Sequence, residues 1–137
     1  MRALTRGRDL AESLMTLTLA WYSPADVAVV DDMEVPGFTP QGTTAGKVQA
    51  PARQGDTTSR LVRVGDTDRP VISGGVHIPA SAFLTTGVLA LRVDWECVVQ
   101  AVSTSDDPAL LGRRYRVVDV PAKSHLTARR LDVVQVS

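Results

Sequence analysis

Cysteine occurs once in this chain of 137 residues, histidine twice, and Trp, Tyr and Phe twice each. Each scarcity excludes something. A lone Cys97 cannot form an internal disulfide, so nothing compels an oxidising compartment. His77 and His125 lie 48 positions apart, and together with Cys97 they match no recognised metal-ligand spacing. So few aromatics leave little on which to stack nucleic-acid bases. No charge of either sign predominates: 15 basic and 15 acidic residues cancel. That argues against a surface built wholly for phosphate backbones, and weak self-repulsion makes association easier. No apolar run approaches the length that crosses a bilayer. In "MRALTRGRDLAESLM" the residues Arg8, Asp9 and Glu12 interrupt any apolar stretch, so the segment does not read as a signal peptide. The expectation is a soluble, intracellular protein without a membrane partner.

What is present is ordinary globular composition, 44% apolar and 22% charged. The length fits one domain, residues 1–137, able to bury roughly two-thirds of its unfolded surface. The pattern opens with an amphipathic helix over 7–15, where Leu10 and Leu14 form a stripe beside Ala11 and Met15. The period then changes to two. In "TLTLAWY" Leu17, Leu19 and Trp21 alternate with Thr16, Thr18 and Ala20, a strand that Ser23-Pro24 ends. "VAVV" (27–30) reads as a second short strand, and "DDMEVPGFTPQGTTAG" (31–46) as a turn or exposed loop, since it carries prolines, glycines and an acidic cluster. "KVQAPA" is an edge-strand candidate. Residues 53–70 read as a long polar loop, of the kind that is usually functional or disordered.

Beyond it the strand signal strengthens. "RPVISGGVHIPA" suggests a strand bent at Gly74-Gly75. "ALRVDWECVVQAV" (90–102) places Val93, Trp95, Cys97, Val99 and Ala101 on one face and Asp94, Glu96 and Gln100 on the other. "SDDPALLG" spells a helical turn near 108–111, with Asp107 as N-cap, Pro108 first and Gly112 as the stop. Strands around 114–120 and 130–136 close the chain. The expected fold is mainly β: a barrel or sandwich of about six or seven strands with an N-terminal helix. No internal repeat of solenoid or propeller length is visible.

Candidate chemistry is thin. Cys97 falls on the inward face of the strongest strand, most simply as a small core residue. Ser124 and His125 are neighbours that an extended chain points to opposite sides, and His77 alternates with Val76 and Ile78 so as to face away from the core. No nucleophile–base–orienter set emerges. "GTTAGKV" (42–48) is one residue short of a phosphate loop and has Val48 where a hydroxyl is required. No catalytic, cofactor-binding or metal-binding residue is assigned. The segment 112–130 stands out: Arg113, Arg114, Arg116, Lys123, Arg129 and Arg130 against Asp119 give a local charge of +5. It reads as a solvated hairpin face, a nucleic-acid patch, or an interface to an acidic protein surface, which suits the bidentate geometry of arginine.

Three stretches carry a resemblance: "GRDLAESLMT" at 7–16, "VHIPASA" at 76–82, and "DPALLGRRYRVVDVPAKSHLTARRLDVVQV" at 107–136, about 47 residues in all. In these the chain resembles the head-closure, or head-to-tail stopper, proteins of tailed phages of actinobacteria. The resemblance implies a small β-barrel with long loops, assembled as a hexameric or dodecameric ring in the virion neck after passing through the host cytoplasm. It implies a mechanical role, without cofactor or bond-making chemistry: holding packaged DNA in the head and presenting a docking surface for the tail. The implied partners are further copies of the chain, a portal-bound adaptor, and a tail terminator or tail tube protein, with DNA near by in the channel. An adaptor or tail-completion protein of the same neck, or a free-standing nucleic-acid-binding barrel, are the competing readings. On this view Arg113, Arg114, Arg116, His125, Arg129 and Arg130 lie at a ring interface, Tyr115 and Leu131 anchor the hairpin to the core, and Arg53, Arg60 and Arg63 on the 53–70 loop reach toward channel DNA.

Overall fold

The computed structural model describes residues 14–49, 61–64, 67–86, 88–121 and 128–136, with the side chains of 26–28, 35 and 36 excepted. Six strands close into a barrel in the order β1 (Leu17–Val30), β2 (Met33–Val48), β5 (Ile72–Pro79), β10 (Ala128–Gln135), β9 (Arg114–Asp119) and β8 (Glu96–Ala101). Every pairing is antiparallel, and the β1–β8 ladder completes the circle, matching Thr18 with Ala101 and Tyr22 with Glu96. Two small hairpins stand outside it: β3 (Leu61–Val64) with β4 (Thr67–Pro70), and β6 (Leu84–Thr85) with β7 (Val88–Leu89). No helix among the described residues is long and apolar enough to cross a membrane.

Alternation fills the barrel. Leu17, Leu19 and Trp21 from β1 meet Val76 and Ile78, Cys97 and Val99, Tyr115 and Val117, and Leu131 and Val133, all buried. Each large apolar side chain so buried contributes about 2 kcal/mol, and in a barrel this narrow the interior is side chains rather than channel. The segment after β5 packs against one part of this core. Phe83, held at φ 58°, sets its ring edge-on to both Trp21 and Trp95, with centroids 6.0 and 5.3 Å away. The Trp21 indole N–H, which would otherwise lack a partner inside, donates to Thr44 Oγ1 at 2.9 Å.

The Gly74-Gly75 bend is a bulge. Between Leu131↔Val76 and Val133↔Ile72, β5 advances four residues while β10 advances two. Gly74 takes φ +58°, and its N–H donates to Asp132 Oδ1 at 2.8 Å, which pins the bulge to β10. Gly75 has no room for a side chain: a Cβ there would come within 2.7 Å of Ile72 Cγ2 and 2.9 Å of Val133 Cγ2.

Several expectations need correction. The helix over 7–15 is not borne out where it can be seen, since Leu14 and Met15 lie in turn and coil; residues 7–13 are outside the described residues. The barrel's six strands are within the six or seven expected; the four short strands of the two outlying hairpins are additional. Ser23-Pro24 does not end β1, which runs on through 27–30. The presumed loop 31–46 is a turn at Asp31-Asp32 followed by the longest strand, β2. The last ten residues of the presumed loop 53–70 hold the β3–β4 hairpin. Val93 and Ala101 are exposed, whereas Glu96, assigned to the solvent face, is buried. The helical turn is as read: a 3-10 turn at Pro108–Leu110, with Asp107 accepting from the Ala109 N–H and Gly112 at φ +85°.

Gly75→Ala should lower unfolding free energy by about 1–3 kcal/mol by overpacking the bulge, measured by urea denaturation. A variant as stable as the parent would mean the bulge has slack that the contact distances deny.

Candidate functional site

The outward face of the C-terminal strands separates into two basic clusters. The first straddles β8 and β9. With Tyr115 and Val117 turned inward, Arg114 and Arg116 project outward and close over Glu96 of the neighbouring strand. Arg116 donates from Nε at 2.9 Å and Nη2 at 2.8 Å to Glu96 Oε2, and Arg114 Nη1 donates to Oε1 at 3.2 Å. The carboxylate is buried while the two arginines keep about a third of their side-chain surface in water. The arginine stems thus shield an acid that the arginine heads neutralise. Arg114 also lies 6.0 Å from the Tyr22 ring centroid. Arg113 sits beside Tyr115, whose hydroxyl is pushed up in pKa by burial, with Arg113 partly offsetting the shift.

The second cluster is created by register. Lys47 on β2 faces His77 on β5, and His77 faces Arg130 on β10, so three strands present a row of nitrogenous side chains on one outer surface. They line a cleft of about 200 Å³ together with Leu14, Met15, Gln49 and Ala128. His77 is 9% exposed, and its buried Nε2 finds no hydrogen-bond partner among the described residues. Burial, then the charge of Arg130, and further that of Lys47, hold its pKa below the ordinary histidine value, against a raising backbone hydrogen bond at Gly74. Neither Lys47 nor Arg130 makes an ion pair with a described residue.

The structure therefore divides the residues read as one interface. Arg114 and Arg116 are joined around Glu96. Arg130 belongs to the cleft, four residues along β10 from the Val134 that faces Arg116, roughly 13 Å away. Arg129 shares the inward parity of Leu131 and is buried, its Nε without a partner among the described residues. Arg63 is exposed on β3 opposite Asp68. His125, Arg53 and Arg60 lie outside the described residues. Cys97 is fully buried between Trp21 and Tyr115 in the β1–β8–β9 ladder, and burial raises its thiol pKa to about 12, so it stays protonated and inert.

Glu96 and Lys47 escaped the sequence reading. The Arg-x-Arg spacing at 114 and 116, one strand after Glu96, was an available signal for the first. Lys47 enters the row only through strand pairing across distant segments.

A family model matches residues 7–134 under the description "Family of unknown function (DUF6093)". The chain belongs to this family. No curated protein and no solved structure matches it. For this DUF6093 member, function must therefore be argued from its own surface.

Two outcomes follow. Glu96→Ala removes three charge-assisted hydrogen bonds to half-exposed arginines, which can rehydrate; the expected loss is about 1–2 kcal/mol. Arg116→Glu sets two carboxylates together and should cost more, by chemical denaturation. An Arg116→Glu protein with parental stability would remove the clasp. For His77, the unfolded chain takes up its proton before the folded one. Stability should then fall as pH drops from about 7.5 to about 5.5, and His77→Gln should flatten that dependence. Parallel pH profiles for the two proteins would contradict the assignment.

Proposed function

We propose that this chain is a structural protein of the tailed-phage neck, a ring-forming head-to-tail stopper that retains packaged DNA and offers the tail its docking surface. The observation that carries the reading is the resemblance at 7–16, 76–82 and 107–136. Its longest stretch supplies β9 and β10, two adjacent staves of the barrel wall, together with the turn that precedes them. The architecture suits a mechanical part: a closed barrel filled by its own side chains. In this reading copies of the chain meet side by side in a ring, one face on the portal-bound adaptor and the other on the tail terminator or tail tube. The β3–β4 hairpin, with Arg63 exposed, is the channel-facing element.

Arg114→Glu is a poor probe of such an interface, because it would disrupt Glu96 within the fold. Arg113 and Arg130 are better ones. The direct experiment removes the gene from a phage that carries it. Lysates should then contain filled heads that lose their DNA, and separate finished tails; intact infectious particles would overturn the proposal. Purified protein should bind duplex DNA weakly or not at all at about 150 mM salt. Tight binding under that condition would favour a nucleic-acid-binding barrel instead.

A further inference from the structure

The strands β1 and β2 are longer than the barrel needs. β8 accompanies β1 only from Thr18 to Tyr22, and β5 accompanies β2 only at Lys47 and Val48. From Ser23↔Thr39 to Val30↔Met33 the two strands pair with each other alone, as a two-stranded ribbon projecting from the barrel. Its tip is a two-residue turn with Asp31 at φ 52° and Asp32 at φ 61°. The side chains at the tip are apolar and bare: Val29 is 70%, Val30 54% and Met33 69% exposed. The ribbon sequence carries Asp26, Asp31, Asp32 and Glu34, and no Lys or Arg occurs between Arg8 and Lys47. A two-stranded ribbon alone is at best marginally stable in water, and clustered exposed apolar groups mark contact surfaces.

The cleft described above has the opposite character. Leu14, Met15 and Ala128 give it apolar walls, Lys47 and Arg130 a positive rim, and His77 a further polar side chain in its lining. We propose that the ribbon tip of one copy docks in this cleft of the next. Val30 and Met33, a directly paired couple, cover the apolar wall, and the tip carboxylates meet Lys47, Arg130 and the His77 ring. The contact is between copies because a copy's own tip is out of reach: Lys47 lies fourteen positions along β2 from Met33, roughly 45 Å of extended strand. Unlike surfaces on one chain, meeting head to tail, generate a ring when the rotation closes. This deepens the neck-ring reading and rests on it, by naming the segment and the cleft through which copies join.

The test is a charge exchange. One variant carries Asp31→Lys, Asp32→Lys and Glu34→Lys; the other carries Lys47→Glu and Arg130→Glu. Each alone opposes like charges, and its association midpoint in sedimentation should rise at least tenfold over the parent, with unchanged circular dichroism confirming the fold. Mixed in equal amounts, the two variants offer opposite charges at every contact and should assemble as alternating copies near the parental midpoint. A parent that assembles while neither the reversals nor the mixture matters would overturn the tip-in-cleft contact and leave the ring standing. A mixture that assembles as expected, from a gene whose removal leaves phage particles intact, would keep the contact and remove the neck function. A parent that stays monomeric at the highest attainable concentration would overturn the contact itself.

Discussion

Strand pairing extends only as far as the shorter strand, and that constraint organises this molecule. β8 has six residues and β5 eight, against fourteen in β1 and sixteen in β2. Closure through Thr18–Tyr22 and Glu96–Ala101 satisfies the edges of the barrel and buries its apolar face. The remaining length of β1 and β2 has nowhere to go but outward. Where it leaves, after Trp21↔Gly42, a register shift places Gly42 at φ +117°. The bulge thereby hands the chain from barrel to ribbon next to Trp21, whose indole is anchored on Thr44.

The same constraint decides what the sequence could show. Buried barrel positions follow a period of two, so Leu17, Leu19 and Trp21 were legible as one face and Cys97 as inward, while Tyr115 and Leu131 were expected at the core only through the resemblance. The Asp107-Pro108…Gly112 turn was legible because each position has a local chemical reason. The ribbon was not, because Pro24, Pro36 and Pro40 normally break ladders. The ribbon can hold them because each of its strands has a free edge beyond Tyr22 and before Lys47, and edge strands tolerate proline where central ones do not. Prolines on free edges also discourage indiscriminate pairing with other chains. Glu96 was misplaced for a different reason. Its alternation is outward, as read, but Arg114 and Arg116 fold over it and make an outer-face residue buried.

The candidate site was legible only in composition. The arginines of 112–130 announced a basic surface, but not that two of them are committed to Glu96, nor that Arg130 stands with Lys47 and His77. That second grouping joins residues from three strands distant in sequence. A net charge of zero concealed the arrangement further. The ribbon carries acid and no base, while Lys47 and Arg130 face the cleft, so a chain that is neutral in sum holds local patches of opposite sign. Such patches favour ordered contact between copies over general adhesion, as the proposed ring would need.

The sharpest measurement is amide hydrogen exchange on the purified protein across a dilution series. The account predicts that barrel strands β5, β8, β9 and β10 stay protected at every concentration. Residues 23–41, left with one partner strand each, should exchange rapidly when dilute and become protected as copies associate. Ribbon amides as slow as the barrel's in dilute monomer, with no dependence on concentration, would contradict it.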